Sequence, residues 1–159
     1  MARTAVNPTV LSTPSPQGLP LVEMTAEDGV TWKKGEMAFL DSNDPDPVIT
    51  TGKTDVFCIF AEDQDTSTSS TDVWVRRLVP GTRLAMFVTN DGTDGTAGSL
   101  AIGTAYGVYG KSNVSYVDLN TTSGQFKVIR VMSDASDYDD DRKDMDAAPG
   151  KVEVEFINT

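Results

Sequence analysis

Apolar residues occur along this 159-residue chain in short runs that are separated by turn-forming residues, and no run keeps a helical period. Short apolar runs bounded by Gly, Pro, Asn, Asp and Ser are typical of an all-β domain. We therefore expect a single compact all-β domain, long enough to bury one core. The pattern predicts strands near Glu36–Leu40, Asp55–Ala61, Thr71–Val79, Thr82–Thr89, Ser99–Tyr109, Val114–Leu119, Gln125–Met132 and Lys151–Ile157.

The last predicted strand alternates between apolar and charged residues. Successive side chains of a strand point to opposite faces of the sheet. We therefore expect one face of this strand in the core and the other in water. The core-facing residues would be Val152, Val154 and Phe156, and the water-facing residues Lys151, Glu153 and Glu155.

A β-hairpin is predicted between Thr71 and Asn90, because two apolar runs there flank Pro80-Gly81. Proline presets φ at the second position of a turn, and glycine accepts the positive φ of the third position. We expect the two strands to pair with each other across this turn.

The first 22 residues differ in composition from the rest. They hold four of the eight prolines, and their only charged side chain is Arg3. Because proline fixes φ and lacks a backbone donor, residues 1–22 are predicted to be an extended arm and residues 23–159 the β domain. Almost no charge keeps the apolar side chains of this arm in water, so we expect them to contact a partner. The alternative is a mobile terminus without a partner. The expected anchors are Val6, Val10, Leu11, Leu19 and Leu21.

The formal net charge of -11 limits the choice of partners. Binding to a phosphate backbone needs a surface rich in Lys and Arg, so nucleic acid is not an expected partner. No apolar run approaches the length of a membrane span, and no signal-peptide pattern opens the chain. We expect a soluble protein that does not bind membranes and is made in the cytoplasm.

Few groups in the sequence suit catalysis or metal binding. The chain contains no His, which excludes a Ser-His-Asp triad and a histidine-containing zinc site. The single cysteine, Cys58, lies in the apolar run Val56–Phe60 and is expected in the core. The glycines between Gly92 and Gly110 match no phosphate-binding motif and are expected to mark a loop and a strand bend. We expect no enzyme activity, no cofactor and no metal centre.

Residues 133–150 are predicted to form a long acidic loop. Seven aspartates lie between Asp134 and Asp146, a density that could bind Ca²⁺. Their spacing does not match an EF-hand loop, because Arg142 stands where the glycine is needed and Ala148 where the bidentate Glu belongs. An exposed loop of mutually repelling charges is favoured, and a cation site is left open.

Two tryptophans and two arginines are candidates for an interface. For the tryptophans, a place in the core is the alternative. The two arginines are consecutive, so in a strand they point to opposite faces and at least one could face a partner, whereas a surface ion pair is the favoured alternative. The candidates are Trp32, Trp74, Arg76 and Arg77.

Most of the chain after Trp32 resembles a known family. The segments that carry the resemblance are, in order, WKKGEMAFL, VFCIFAED, VWVRRLVPGTRLAMFV, AIGTAYGVYG with VSYVDL, GQFKVIRV and KVEVEFIN. Their order resembles that of the small capsid decoration, or cement, proteins of tailed bacteriophages. The resemblance rests on ordered strands and turns and not on invariant functional residues.

The resemblance implies a β-barrel-like or β-tulip-like domain that assembles as a homotrimer on the outer surface of a capsid. It also implies that the major capsid protein is the partner and that the arm clamps neighbouring coat subunits. An alternative from another class is a receptor- or carbohydrate-binding module of a phage tail or fibre. The aromatic platform of such a module would come from Tyr106, Tyr109, Tyr116 and Tyr138.

Overall fold

The computed structural model describes residues 4–25, 29–41, 44–49, 52–63, 72–132 and 149–157. Within these ranges the chain forms twelve β-strands and one short 3-10 helix, Ala97–Ser99. The strands are β1 (Thr9–Ser12), β2 (Leu21–Thr25), β3 (Met37–Asp41), β4 (Asp44–Pro47), β5 (Val56–Phe60), β6 (Asp72–Arg77), β7 (Arg83–Asn90), β8 (Thr93–Asp94), β9 (Ala105–Lys111), β10 (Val114–Thr122), β11 (Phe126–Val131) and β12 (Lys151–Phe156).

All eight strands predicted from the sequence are present, which confirms the all-β fold class. The largest difference in bounds concerns Ser99–Tyr109, because β9 begins only at Ala105. The residues before β9 turn instead of extending, and Gly103 has a φ of 87° there. Such a positive φ is one that glycine adopts without steric cost.

The larger sheet closes on itself. Its strand order is β1-β7-β10-β9-β11-β12, and β12 pairs again with β7, so five of its strands form a barrel. β10 runs parallel to β7, and the other pairings are antiparallel. The two short strands β1 and β8 add to β7 outside this ring.

The barrel strands supply much of the main core, to which the smaller sheet adds Met37, Val56 and Ile59. Val152, Val154 and Phe156 of β12 are buried in it, as the alternation of this strand predicted. The prediction that Glu153 faces water is wrong. This side chain lies on the opposite face but is buried, and its Oε2 accepts a hydrogen bond of 2.7 Å from Nε of Arg130 on β11.

The smaller sheet has the strand order β2-β6-β5-β3-β4 and encloses a second core. Its two edge strands, β2 and β4, approach each other with Cα atoms within 8 Å. Trp32 is buried in this core and stacks on Phe60, with ring centroids 4.6 Å apart and planes 10° from parallel. The sheet therefore curls around an aromatic pair.

β4 has the sequence Asp-Pro-Asp-Pro and was not predicted as a strand. The N–H of Val48 donates to the carbonyl of Met37 at the start of β3 (3.0 Å). Because every second residue of an antiparallel strand faces the same neighbour, the N–H groups of Asp44 and Asp46 also point to β3. Pro45 and Pro47 then occupy the positions whose nitrogen faces the outer edge. Because proline has no N–H, this edge of β4 offers no donor to another strand, which is how natural sheets protect their edges.

The turn at Pro80-Gly81 forms as predicted, but the predicted hairpin is wrong. Gly81 has a φ of 92°, and the N–H of Thr82 donates to the carbonyl of Val79 (3.1 Å), as in a type II turn. The strands on either side pair in different sheets, since β6 pairs with β2 and β5 while β7 pairs with β12. The N–H of Gly81 donates to the carbonyl of Phe156 (2.8 Å), so the turn places the start of β7 beside β12.

The two sheets meet where the chain before β5 crosses β9. Lys53 and Val108 exchange two backbone hydrogen bonds of 2.7 and 2.8 Å across this crossing. Gly107 and Gly110 lie in β9 beneath it, and a Cβ atom on Gly110 would overlap the carbonyl oxygen of Val48. These glycines, which were expected to mark a strand bend, permit main chain to pack directly on main chain.

Replacing Gly110 by Ala should destabilise the fold by about 3 kcal/mol, because the new methyl group clashes with backbone atoms, which cannot rotate away as a flexible side chain can. Gly103→Ala is the matched control. A Cβ atom there meets nothing within 4 Å, so the positive φ is the only source of destabilisation, and we expect a loss of about 1 kcal/mol in the free energy of unfolding. Urea denaturation of both variants measures the difference. Equal losses would contradict the close crossing.

Candidate functional site

The N-terminal segment lies along the body of its own domain. Thr9–Ser12 form β1, which pairs antiparallel with β7 so that Thr9 lies opposite Ala85 and Val10 opposite Leu84. An extended segment of this kind can add a strand to the sheet edge of a partner. Here it adds a strand to an edge of its own chain.

Asn7 fixes the start of this segment. Its Nδ2 donates to the carbonyl oxygens of Asn113 (2.9 Å) and Lys34 (3.4 Å), and its Oδ1 accepts from the N–H of Ser115 (3.0 Å). A Cβ atom on Gly35 would lie 2.9 Å from the Cβ of Asn7, so glycine leaves room for this side chain. One amide therefore joins the arm to both sheets. We name this arrangement the Asn7 seat.

A buried polar network continues beneath the Asn7 seat. Oε2 of Glu36 accepts from the N–H of Lys33 (2.5 Å) and from Nδ2 of Asn113 (3.3 Å), and the N–H of Met37 donates to Oγ of Ser115 (2.8 Å). Burial raises the pKa of the Glu36 carboxyl, and the hydrogen bonds from Lys33 and Asn113 oppose this shift. No pattern in the sequence singles out this carboxylate or Asn7.

The predicted arm anchors divide into two groups. Four of them expose a large part of their surface: Val6 (54%), Val10 (38%), Leu11 (42%) and Leu21 (50%). Leu19 is different, because it is buried in the main core and makes its apolar contacts within its own chain. Leu19 is therefore a fold residue in this structure, and the exposed four are the residues a partner could reach.

The predicted boundary at residue 22 falls inside β2, which is part of the smaller sheet. The segment that precedes the first buried anchor therefore ends before Leu19. A turn lies between residues 4–12 and β2. In this turn the carbonyl of Ser15 accepts hydrogen bonds from Oγ1 of Thr13 (2.5 Å) and from the N–H of Gly18 (3.1 Å). We use the term mobile arm for residues 4–12, which precede this turn.

Of the two tryptophan candidates, only Trp74 is accessible. Trp32 belongs to the second core, and its Nε1 has no hydrogen-bond partner among the described residues. Trp74 is 42% exposed on β6, on the same face as Arg76. Across the strand pair, Arg76 lies opposite Leu21 of β2 and Trp74 opposite Glu23. These four residues form an exposed patch, here named the β2–β6 patch.

The two candidate arginines point to opposite faces and make different contacts. Nη1 of Arg76 donates to the carbonyl of Leu19, at 3.5 Å. The guanidinium of Arg77 lies 5.3 Å from the ring centroid of Phe57. Both side chains belong to exposed residues, so they remain available for further contacts.

The tyrosines proposed for a sugar-binding platform do not share an exposed surface. Tyr106 and Tyr116 are buried, and the hydroxyl of Tyr106 accepts a hydrogen bond from the N–H of Ala101 (3.0 Å). Tyr109 is partly buried, and Tyr138 lies outside the described residues. The buried pair is not open to a ligand.

Cys58 lies in the second core, as predicted, and burial raises the pKa of its thiol to about 12. A thiol with so high a pKa is not a reactive nucleophile at neutral pH. In the part of the chain that the structure describes, no three His, Cys, Asp or Glu side chains are grouped as metal ligands. The Asp134–Asp146 stretch lies outside that part.

Comparisons with protein-family models, with curated proteins and with solved structures find no match to this chain. Its function must therefore be argued from its own residues. Among the described residues, no helix has the length and apolar character that crossing a membrane requires.

Replacing Glu36 by Gln should change how stability depends on pH. Because burial raises the pKa of Glu36, the folded state binds this proton more tightly than the unfolded state does. The wild type should lose stability relative to the Gln variant as the pH rises from the ordinary value of 4.5 through the raised pKa. Below that window the difference in the free energy of unfolding should be constant. Urea denaturation between about pH 3 and pH 8 measures it, and a wild type that gains stability relative to the Gln variant as the pH rises would contradict this sign.

Proposed function

We propose that this protein is a structural virion protein that decorates the outer surface of a phage capsid and stabilises the shell. In this proposal the major capsid protein is the partner, the protein is made in the host cytoplasm, and no catalytic step or cofactor takes part. The observation that carries the proposal is the state of the mobile arm: its main chain is seated on the barrel while Val6, Val10 and Leu11 keep their apolar side chains exposed.

Burial of these side chains against a coat subunit would supply binding energy. Covering one exposed Val or Leu side chain contributes about 1.5 to 3 kcal/mol. Three such residues on each copy therefore supply several kcal/mol before any polar contact is counted. If the copies form a trimer, as the family resemblance implies, the second and third contacts become intramolecular and raise the avidity about 10²- to 10⁴-fold.

The arm also has the reach that a clamp needs. Residues 1–18 precede the first buried anchor, Leu19, and at about 3.3 Å per extended residue they span up to about 60 Å. A segment of this length extends beyond the domain onto a neighbouring subunit. Its prolines restrict the free chain and so lower the entropy that is lost when the arm becomes ordered.

One observation favours the second candidate function, a receptor- or carbohydrate-binding module. In the β2–β6 patch the exposed ring of Trp74 lies beside the charged side chains of Glu23 and Arg76. An aromatic face next to polar groups suits a ligand that needs both stacking and hydrogen bonds. Glycan-array binding that is lost in Trp74→Ala would favour this candidate over decoration.

The copy number of the protein on purified particles tests the main proposal. Quantitative mass spectrometry gives the ratio of this chain to the major coat protein. A ratio of the same order as the coat protein is expected for a decoration protein that covers the lattice. A few copies per particle would instead indicate a fibre or tail, and absence from particles would refute a structural role.

Replacing Val6 and Leu11 together by Ser should weaken binding to undecorated shells. Each lost side chain is expected to lower the affinity about 10- to 100-fold, since its apolar burial is removed. The matched control is Ile102→Ser, because Ile102 is 67% exposed and lies outside the arm. Sedimentation of shells with bound protein measures the effect. If the control loses as much affinity as the arm variant, the arm is not the specific contact.

A further inference from the structure

We propose that the edge of β7 at Arg83–Ala85, together with the Asn7 seat, is a binding site for an extended peptide segment. We further propose that this site accepts the mobile arm of a second copy as well as that of its own chain. The site goes beyond the decoration function and does not depend on it, because both partners are copies of this chain.

The first observation is the shape of the sheet around β7. On one side β12 pairs with β7 from Arg83 to Phe87. On the other side β10 pairs only with Val88 and Thr89, and β1 fills the remaining edge at Arg83–Ala85. Without β1 this edge would present unpaired N–H and C=O groups, and such an edge is a template for any extended segment.

The second observation is that the site recognises a particular side chain, that of Asn7. Asn7 satisfies one backbone donor and two backbone acceptors, which belong to Ser115, Asn113 and Lys34. An aspartate of the same shape has no N–H to donate to the two carbonyl oxygens. The following residue, Pro8, is buried and favours an extended backbone at Asn7. The segment Asn7-Pro8 is therefore the recognition element.

The third observation is that little apolar burial holds the mobile arm. All four residues of β1 are exposed and Pro8 is the one buried residue of the arm, so its attachment depends mainly on main-chain hydrogen bonds and on the Asn7 seat. The chain after the turn is held differently, because Leu19 is in the main core and β2 pairs along β6. The arm can therefore leave its site while the rest of the domain stays folded.

These observations select a second copy as the occupant. Every copy carries both the segment and the site, so an arm that leaves its own β7 meets an identical site on a neighbour. The exchange keeps every contact of the closed monomer and changes only which chain supplies it. Such exchange of an identical element is a route to association that needs no new interface.

Two full-length single-cysteine additions test the exchange. Thr9 and Ala85 are direct partners in the β1–β7 pairing. The Cα atoms of such pairs are about 4.5 to 5.5 Å apart, which suits a disulfide. A Thr9→Cys variant is mixed with an Ala85→Cys variant and oxidised, and peptide mapping detects a disulfide between positions 9 and 85 of different chains. Cys58 does not compete, because it is buried and its thiol pKa is about 12.

The controls fix the meaning of each result. Exchange predicts that the mixture forms linked heterodimers well above the homodimer level of either variant alone, and more of them at higher protein concentration. The double variant, carrying both substitutions in one chain, should close its disulfide within the monomer. A double variant that closes while the mixture stays monomeric would overturn the exchange. A double variant that fails to close would overturn the β1 site itself.

A synthetic peptide of residues 4–18 tests the recognition of Asn7. Added in excess to the mixture, it should suppress the heterodimers by occupying the free sites. The same peptide with Asn7→Asp should need an about tenfold higher concentration to suppress the heterodimers equally, because the two hydrogen bonds that Asn7 donates are lost. Equal competition by both peptides would overturn the proposal that the site recognises the Asn7 side chain.

Discussion

The fold depends on the close contact between main chains where residues 48–49 and 52–56 cross β9. Gly107 and Gly110 remove the side chains that would separate the two sheets, and Lys53 and Val108 close the gap with two hydrogen bonds. Near the end of this crossing, the side-chain amide of Gln125 bonds both the N–H (2.6 Å) and the carbonyl (3.1 Å) of Val56. The sheets are thus joined by buried polar groups that satisfy one another, and each would be costly if left unpaired.

The same principle holds the N-terminal segment to the body. Asn7 pairs with main-chain groups on both sides of the sheet junction, and the network around Glu36 orders the residues that present those groups. Hydrogen bonds to fixed main-chain groups specify a position without burying much apolar surface. The segment is therefore placed mainly by polar contacts, in contrast to Leu19, which is buried in the main core.

The sequence predicted the strands well because each apolar run is short and bounded by turn-formers. It did not predict which strands pair, since Pro80-Gly81 describes only a local turn and the pairing of β7 with β12 brings distant parts of the chain together. β4 was missed because its prolines argue against a strand, although they suit an edge. The exposed arm residues followed from composition, but the Asn7 seat did not, because two of the three main-chain partners of Asn7, Asn113 and Ser115, lie more than 100 residues away.

The geometry of a strand lets the arm serve the fold and a partner at the same time. Main-chain hydrogen bonds lie in the plane of a sheet, whereas side chains project from its faces. β1 can therefore remain bonded to β7 while the side chains of Val10 and Leu11 stay exposed. Attachment through one of these side chains does not require the arm to open, whereas a clamp across a subunit seam does. In the proposed function the Asn7 seat would favour the closed arm, because it adds polar bonds to that state and leaves the apolar side chains exposed.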